Sequence, residues 1–89
     1  MNYIKLYKYI GKDSRGNVRQ SEEIKPNLDF ILKYKPQLGE YIEIQGITNI
    51  DKFGGIVKFI KNIYEPVYKT RCTYDIDIKY IEIYIELTK

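Results

Sequence analysis

At 89 residues, 44% hydrophobic and 30% charged, the chain has the make-up of one soluble domain with a single modest core, not of a disordered or multidomain protein. Its net charge of +3 is too small to name a partner, its apolar runs of three residues or fewer (Phe30-Ile31-Leu32 is one) cannot span a bilayer, and one cysteine, Cys72, rules out an internal disulfide. Residues 1–20 carry five basic side chains and no apolar stretch, so no signal peptide is expected and a reducing, cytoplasmic location is the default.

The first predicted strand is Asn2 to Ile10. Ile4, Leu6 and Ile10 share one face, Tyr3, Tyr7 and Tyr9 the other, with Lys8 and Lys5 interrupting the two rows. Residues 11–17, Gly-Lys-Asp-Ser-Arg-Gly-Asn, form a turn: two glycines permit positive φ, and Asp13, Ser14 and Asn17 can bond to their own backbone. Val18 to Ile24 then reads as a polar return strand at a sheet edge. After Pro26, Asn27 can cap a short helix over residues 27–35, with Leu28, Ile31 and Leu32 at i, i+3 and i+4 and Pro36 as its stop. A strand over Asp29 to Tyr34 is the competing reading.

Pro36-Gln-Leu-Gly39 is a turn into a strand over residues 40–45 that faces Ile42 and Ile44 inward. Residues 47–55 read as a loop with Gly54-Gly55 as its tight turn. The next strand, Ile56 to Tyr64, places Val57, Phe59 and Ile63 on one face and Ile56 and Ile60 on the other, and Glu65-Pro66 closes it. From Tyr74 to Leu87 apolar and polar residues alternate with one change of phase at Tyr80-Ile81. No Gly or Pro interrupts the run, so it reads as one strand carrying a β-bulge near Lys79 to Ile81. Ile76 and Ile78 are expected to be buried on one side of that bulge. On the other side Ile81, Ile83 and Ile85 should be buried while Tyr80 and Tyr84 point outward.

These elements add up to a mainly β domain with at most one short helix, covering residues 1–89. The expected form is a small antiparallel, strongly curved sheet or an SH3-like or OB-like barrel of about five strands, since closure removes exposed edges. An open curved sheet packed on the short helix is the alternative.

Ile, Lys, Tyr and Asn supply 43 residues while Ala, His and Trp are absent. The abundant types have codons rich in A and T, which points to a low-GC bacterium or one of its phages or plasmids. The same bias explains much of the Lys and Tyr content, which therefore does not count separately toward a nucleic-acid surface. Charge is nonetheless segregated: residues 1–20 and 52–71 are basic, and residues 74–87 carry Asp75, Asp77, Glu82 and Glu86 against Lys79 alone.

Without histidine, the common general base and the nucleophilic triads built on it are excluded within one chain. Cys72 has no base or second thiol to accompany it and reads as an inert, small apolar residue. His/Cys metal sites lack ligands, and Asp75 and Asp77 read as a solvated acidic face before a cation site. No phosphate loop surrounds Gly54-Gly55. The expectation is therefore a non-enzymatic binding protein without cofactor or membrane partner. It would occlude a protein partner or sequester a small ligand, with homodimerisation through an exposed strand or tyrosine patch as a secondary expectation. Small accessory proteins of phages and plasmids, including inhibitors of host defence, are of this kind, and the location would then be the host cytoplasm.

The candidate binding residues are Tyr3, Lys5, Tyr7, Tyr9, Lys58, Lys61, Tyr80 and Tyr84. Ten tyrosines exceed what one core of this size absorbs, and tyrosine favours interfaces because it joins a large rigid ring to a polar tip. The alternative partner is single-stranded nucleic acid, stacked on Tyr3, Tyr7 and Tyr9 with Lys5, Lys8, Lys58 and Lys61 along its backbone. The small net charge weighs against it.

Overall fold

The computed structural model describes residues 2–24, 30–45 and 53–88. These residues form five strands and no helix: β1 (Asn2–Lys8), β2 (Phe30–Leu32), β3 (Tyr41–Ile44), β4 (Phe53–Tyr68) and β5 (Tyr74–Leu87). The sheet runs in the order β2-β1-β5-β4-β3; four strands make its body and the three-residue β2 extends one edge. It is mainly β, as expected. It is also open, because β2 and β3 are edges that do not pair, where a barrel was anticipated. The antiparallel expectation is corrected as well: β1 lies parallel to β5, with Ile4 opposite Ile81 and Leu6 opposite Ile83, so the sheet is mixed. Among the described residues no helix is long and apolar enough to cross a membrane.

The helix expected over 27–35 is a further correction. Residues 27–29 lie outside the described residues, but Phe30–Leu32 are extended and pair antiparallel with Asn2–Ile4. A helix of one or two turns bears the full cost of nucleation, whereas three residues on a sheet edge gain ladder bonds at once. The Asp13 turn forms as read: its carboxylate accepts the N–H groups of Arg15 (2.9 Å) and Asn17 (3.0 Å), and Gly16 sits at φ +83. The return strand does not. Residues 18–24 make only isolated bridges, Lys12 with Val18 and Tyr7 with Glu23, since Arg19 to Glu22 offer no alternating apolar row to hold them down. Ile24 still donates its N–H to the Leu6 carbonyl at 2.6 Å.

The core is one face of the three central strands: Ile4, Leu6, Val57, Ile81, Ile83 and Ile85, none more than 2% exposed. Each contributes about 1.5–3 kcal/mol by leaving water. Ile24, Ile42, Ile44, Ile60 and Leu87 pack around them. Ile10, expected with this row, lies beyond the end of β1 and is exposed.

Two bulges set the faces. Ile63 opposes Tyr80 and Tyr64 opposes Ile78, which leaves Lys79 as the extra residue, where the phase change in the sequence places it. A second bulge was not foreseen. Val57 opposes Ile85 and Phe59 opposes Tyr84, so Lys58 is extra and Phe59 turns to the face opposite Val57, with Ile60 taking its place beside the core. Gly54-Gly55, read as a turn, lies within β4 instead, opposite Glu43 and Ile42 of β3. Pro66 does not close β4, which runs on to Tyr68.

Candidate binding cleft

The face of the sheet opposite the core carries the aromatic residues. Alternation along β1 puts Lys5 and Tyr7 there, and the parallel register sets them against Glu82 and Tyr84 of β5. The Lys58 bulge adds Phe59 and Lys61 from β4, opposite Tyr84 and Glu82. Tyr7 stacks on Tyr84 with centroids 5.1 Å apart, and Phe59 meets Tyr84 edge-on at 5.8 Å. The Lys5 ammonium lies 4.5 Å from the centre of the Tyr80 ring, and that of Lys12 lies 5.8 Å from Phe59. Cation–π contacts of this kind contribute about 0.5–1 kcal/mol at exposed sites.

Residues 18–20 border this face and close a cleft of about 330 Å³ lined by Tyr7, Val18, Gln20, Lys61, Glu82 and Tyr84. The turn held by Asp13 returns the chain to place Val18 and Gln20 there. The Tyr84 hydroxyl donates to the Glu82 carboxylate at 3.0 Å, fixing both side chains. Lys61 and Gln20 are exposed and offer a cation and an amide to whatever enters.

Burial, reinforced by the hydrogen bond to Glu82, pushes the Tyr84 phenol well above its ordinary value of 10.0; Tyr7 is raised too, by burial first and the Glu82 and Glu23 charges next. Both phenols are therefore donors across the physiological range. The folded state keeps protons that the unfolded chain releases, so this contribution is complete below the ordinary phenol value and is lost as pH climbs toward the raised ones. Between about pH 9 and pH 11, wild type is thus expected to lose more stability than Tyr84→Phe, read as the fall in urea midpoint. Parallel falls would remove the buried phenol as the cause.

Of the eight residues proposed from sequence, Tyr7, Lys61 and Tyr84 line the cleft, and Lys5 and Tyr80 pair beside it. Tyr3 is exposed near the start of β1, and Tyr9 follows its end with its N–H given to the Ile85 carbonyl at 2.7 Å. Lys58 is exposed at the bulge and does not line the cleft. Tyr84 faces away from Ile83 and Ile85 as expected, but it is only 6% exposed instead of open to solvent, because β5 is central and Tyr7 and Phe59 cover its ring. Glu82 was within reach of the sequence, since it shares a strand face with Tyr80 and Tyr84. Val18, Gln20, Lys12 and Phe59 depend on the turn and on the second bulge.

Cys72 is a free, exposed thiol. Asp75 pairs with Lys69 at 3.0 Å and Asp77 accepts the Ile78 N–H at 2.8 Å. Among the described residues no group of three or more His, Cys, Asp or Glu is placed to hold a metal ion. The chain matches no family model, and neither a curated protein nor a solved structure is significantly similar to it.

Proposed function

We propose that the chain is a small non-enzymatic binding protein that sequesters a small polar ligand, or the side chain of a protein partner, in the cleft over the Tyr7–Tyr84 stack. The cleft is the observation that carries this reading. Its volume of about 330 Å³ is at the lower end of ligand sites, its floor is aromatic, and its rim presents Lys61 and Gln20. An exposed ammonium at the rim of an aromatic floor suits an anionic ligand with a flat part. Occlusion requires no general base, which matches a chain without histidine. Its low-GC composition fits an accessory protein of a phage or other mobile element, acting in the host cytoplasm as an inhibitor of host defence.

Single-stranded nucleic acid is the second reading, favoured by Lys5, Lys12 and Lys61 along the aromatic face. Its difficulty is that the rings are already engaged: Tyr7 on Tyr84, Tyr80 under Lys5, Phe59 under Lys12. A base would have to displace those contacts before gaining its own stacking energy of about 1–3 kcal/mol.

Native mass spectrometry of the chain purified from a low-GC bacterial lysate, beside Tyr7→Ala and Lys61→Glu, tests the first reading. A bound species present on wild type and lost from both folded variants is expected. Identical spectra for the three would overturn it. Titrating a labelled oligothymidylate into the same samples tests the second, since affinity that collapses between about 50 and 200 mM salt would mark a phosphate-binding groove.

A further inference from the structure

Beyond Ile63 and Tyr80, β4 and β5 leave the rest of the sheet. β1 pairs only with Ile81–Ile85, and β3 pairs only with Phe53–Ile56. Residues 64–78 therefore form a two-stranded arm, Tyr64 opposite Ile78, Pro66 opposite Ile76 and Tyr68 opposite Tyr74, closed by a turn in which Lys69 and Thr70 donate their N–H groups to the Thr73 carbonyl. Paired residues of an antiparallel ladder point to the same side. One face of the arm is therefore Tyr64, Pro66, Tyr68, Tyr74, Ile76 and Ile78, without a single charge. The other carries Glu65, Val67, Asp75 and Asp77.

Among the described residues nothing covers the apolar face: Tyr68 is 73% exposed and Ile76 59%. This corrects the expectation that Ile76 and Ile78 are buried. The Lys79 bulge explains how the situation arises. By inserting one residue it keeps Ile76 and Ile78 on the same side as Ile81, Ile83 and Ile85. The core face of the domain thus runs on along the arm after the strands that flank it have ended.

We infer that this face is closed by the same face of a second copy of the chain, in a two-fold dimer whose arms pack face to face. A lone two-stranded ribbon is marginal in water, so an arm of this length requires a cover. Three half- to three-quarters-exposed tyrosines with two isoleucines and a proline offer roughly 500–700 Å² per copy, and two such faces together reach the lower range of specific interfaces. Larger exposed apolar patches are uncommon on monomers. Because the face has no charge, a two-fold axis can set it on itself without bringing like charges together, and the carboxylates stay on the far side in water.

Pairing through the arm's edges is disfavoured. Pro66 has no N–H to offer in the middle of the β4 edge, and the Ile78 N–H is already taken by the Asp77 carboxylate at 2.8 Å. That leaves the broad face as the surface on which a second copy docks. The cleft lies on the opposite side of the sheet, so dimerisation and ligand capture stand or fall separately.

Sedimentation of the whole chain over a concentration series tests the inference, with Ile76→Asp and Val67→Asp as a pair. Ile76 and Val67 belong to the same two strands but face opposite ways. Wild type and Val67→Asp are expected to be dimers at about 10 µM, while Ile76→Asp, which would bury a carboxylate from each copy, dimerises at least about a hundredfold more weakly. Should Ile76→Asp fail to fold, Tyr68→Asp, at the most exposed position of the face, takes its place. A wild-type chain that stays monomeric at about 100 µM overturns the inference and leaves the face to a different protein. Equal weakening by Val67→Asp and Ile76→Asp, or by neither, overturns it too.

Discussion

Gly55→Ala is expected to destabilise the fold by about 3 kcal/mol, the upper part of the range for overpacking. Gly55 lies in β4 with Ile42 on one side and Leu87 on the other. A Cβ added there runs into the carbonyl oxygen of Glu86 and comes within 2.5 Å of the Ile85 side chain. Neither can step aside: one is the backbone of the central strand, and the other belongs to a core residue with no exposed surface. β4 must move away from β5 at the place where Val57 and Ile85 close the core. In a domain of this size that corresponds to a fall in Tm on the order of 15 °C. Gly54→Ala is the control. Its nearest neighbour is the Tyr41 hydroxyl at 2.9 Å, the far end of a side chain that can swing away, although the Ile42 carbonyl at 3.0 Å remains. The smaller loss is expected there. Thermal unfolding of the two variants decides it, and a Gly55→Ala protein within about 2 °C of wild type would mean that the strands do not approach this closely.

Tyr84→Ala should be the most damaging change on the aromatic face, costing about 3–5 kcal/mol as for other large buried rings. The ring is the floor of the cleft, stacked on Tyr7 and met edge-on by Phe59. Tyr84→Phe separates the ring from its hydroxyl. It keeps both aromatic contacts and gives up only the 3.0 Å bond to Glu82, a loss of about 1 kcal/mol. The ring therefore outweighs the hydroxyl in holding the face together. If the proposed function holds, the two variants also divide the binding: Tyr84→Phe retains the ligand with its floor intact, and Tyr84→Ala loses it even where it is still folded. Urea unfolding that finds the two equally stable would show that Tyr84 contributes only its hydroxyl.

Much of β5 was legible in the sequence. Its continuity from Tyr74 to Leu87, the extra residue at Lys79 and the burial of Ile81, Ile83 and Ile85 all follow from a period of two with one change of phase. The Asp13 turn was legible for a similar reason, since its glycines and short polar side chains act within a few residues. The Lys58 bulge was not. Val57-Lys-Phe59 keeps an unbroken alternation, and only the register against Ile85 and Tyr84 shows that one residue has been passed over. The cleft depends on that bulge for Lys61 in its lining and for Phe59 against the edge of Tyr84.

By itself the sequence determined that the first and last strands are extended, where the last strand is bulged, and that the 89 residues hold no histidine. These properties are local, being written in side-chain alternation, turn chemistry and residue inventory. Only the tertiary structure decided that β1 would lie parallel to β5, that Tyr84 would be covered and that Ile76 and Ile78 would be bare. The physical reason is that burial belongs to a residue's neighbours. Ile78 and Ile81 are equally apolar and lie on the same face of the same strand, but β1 flanks Ile81 and has ended before Ile78.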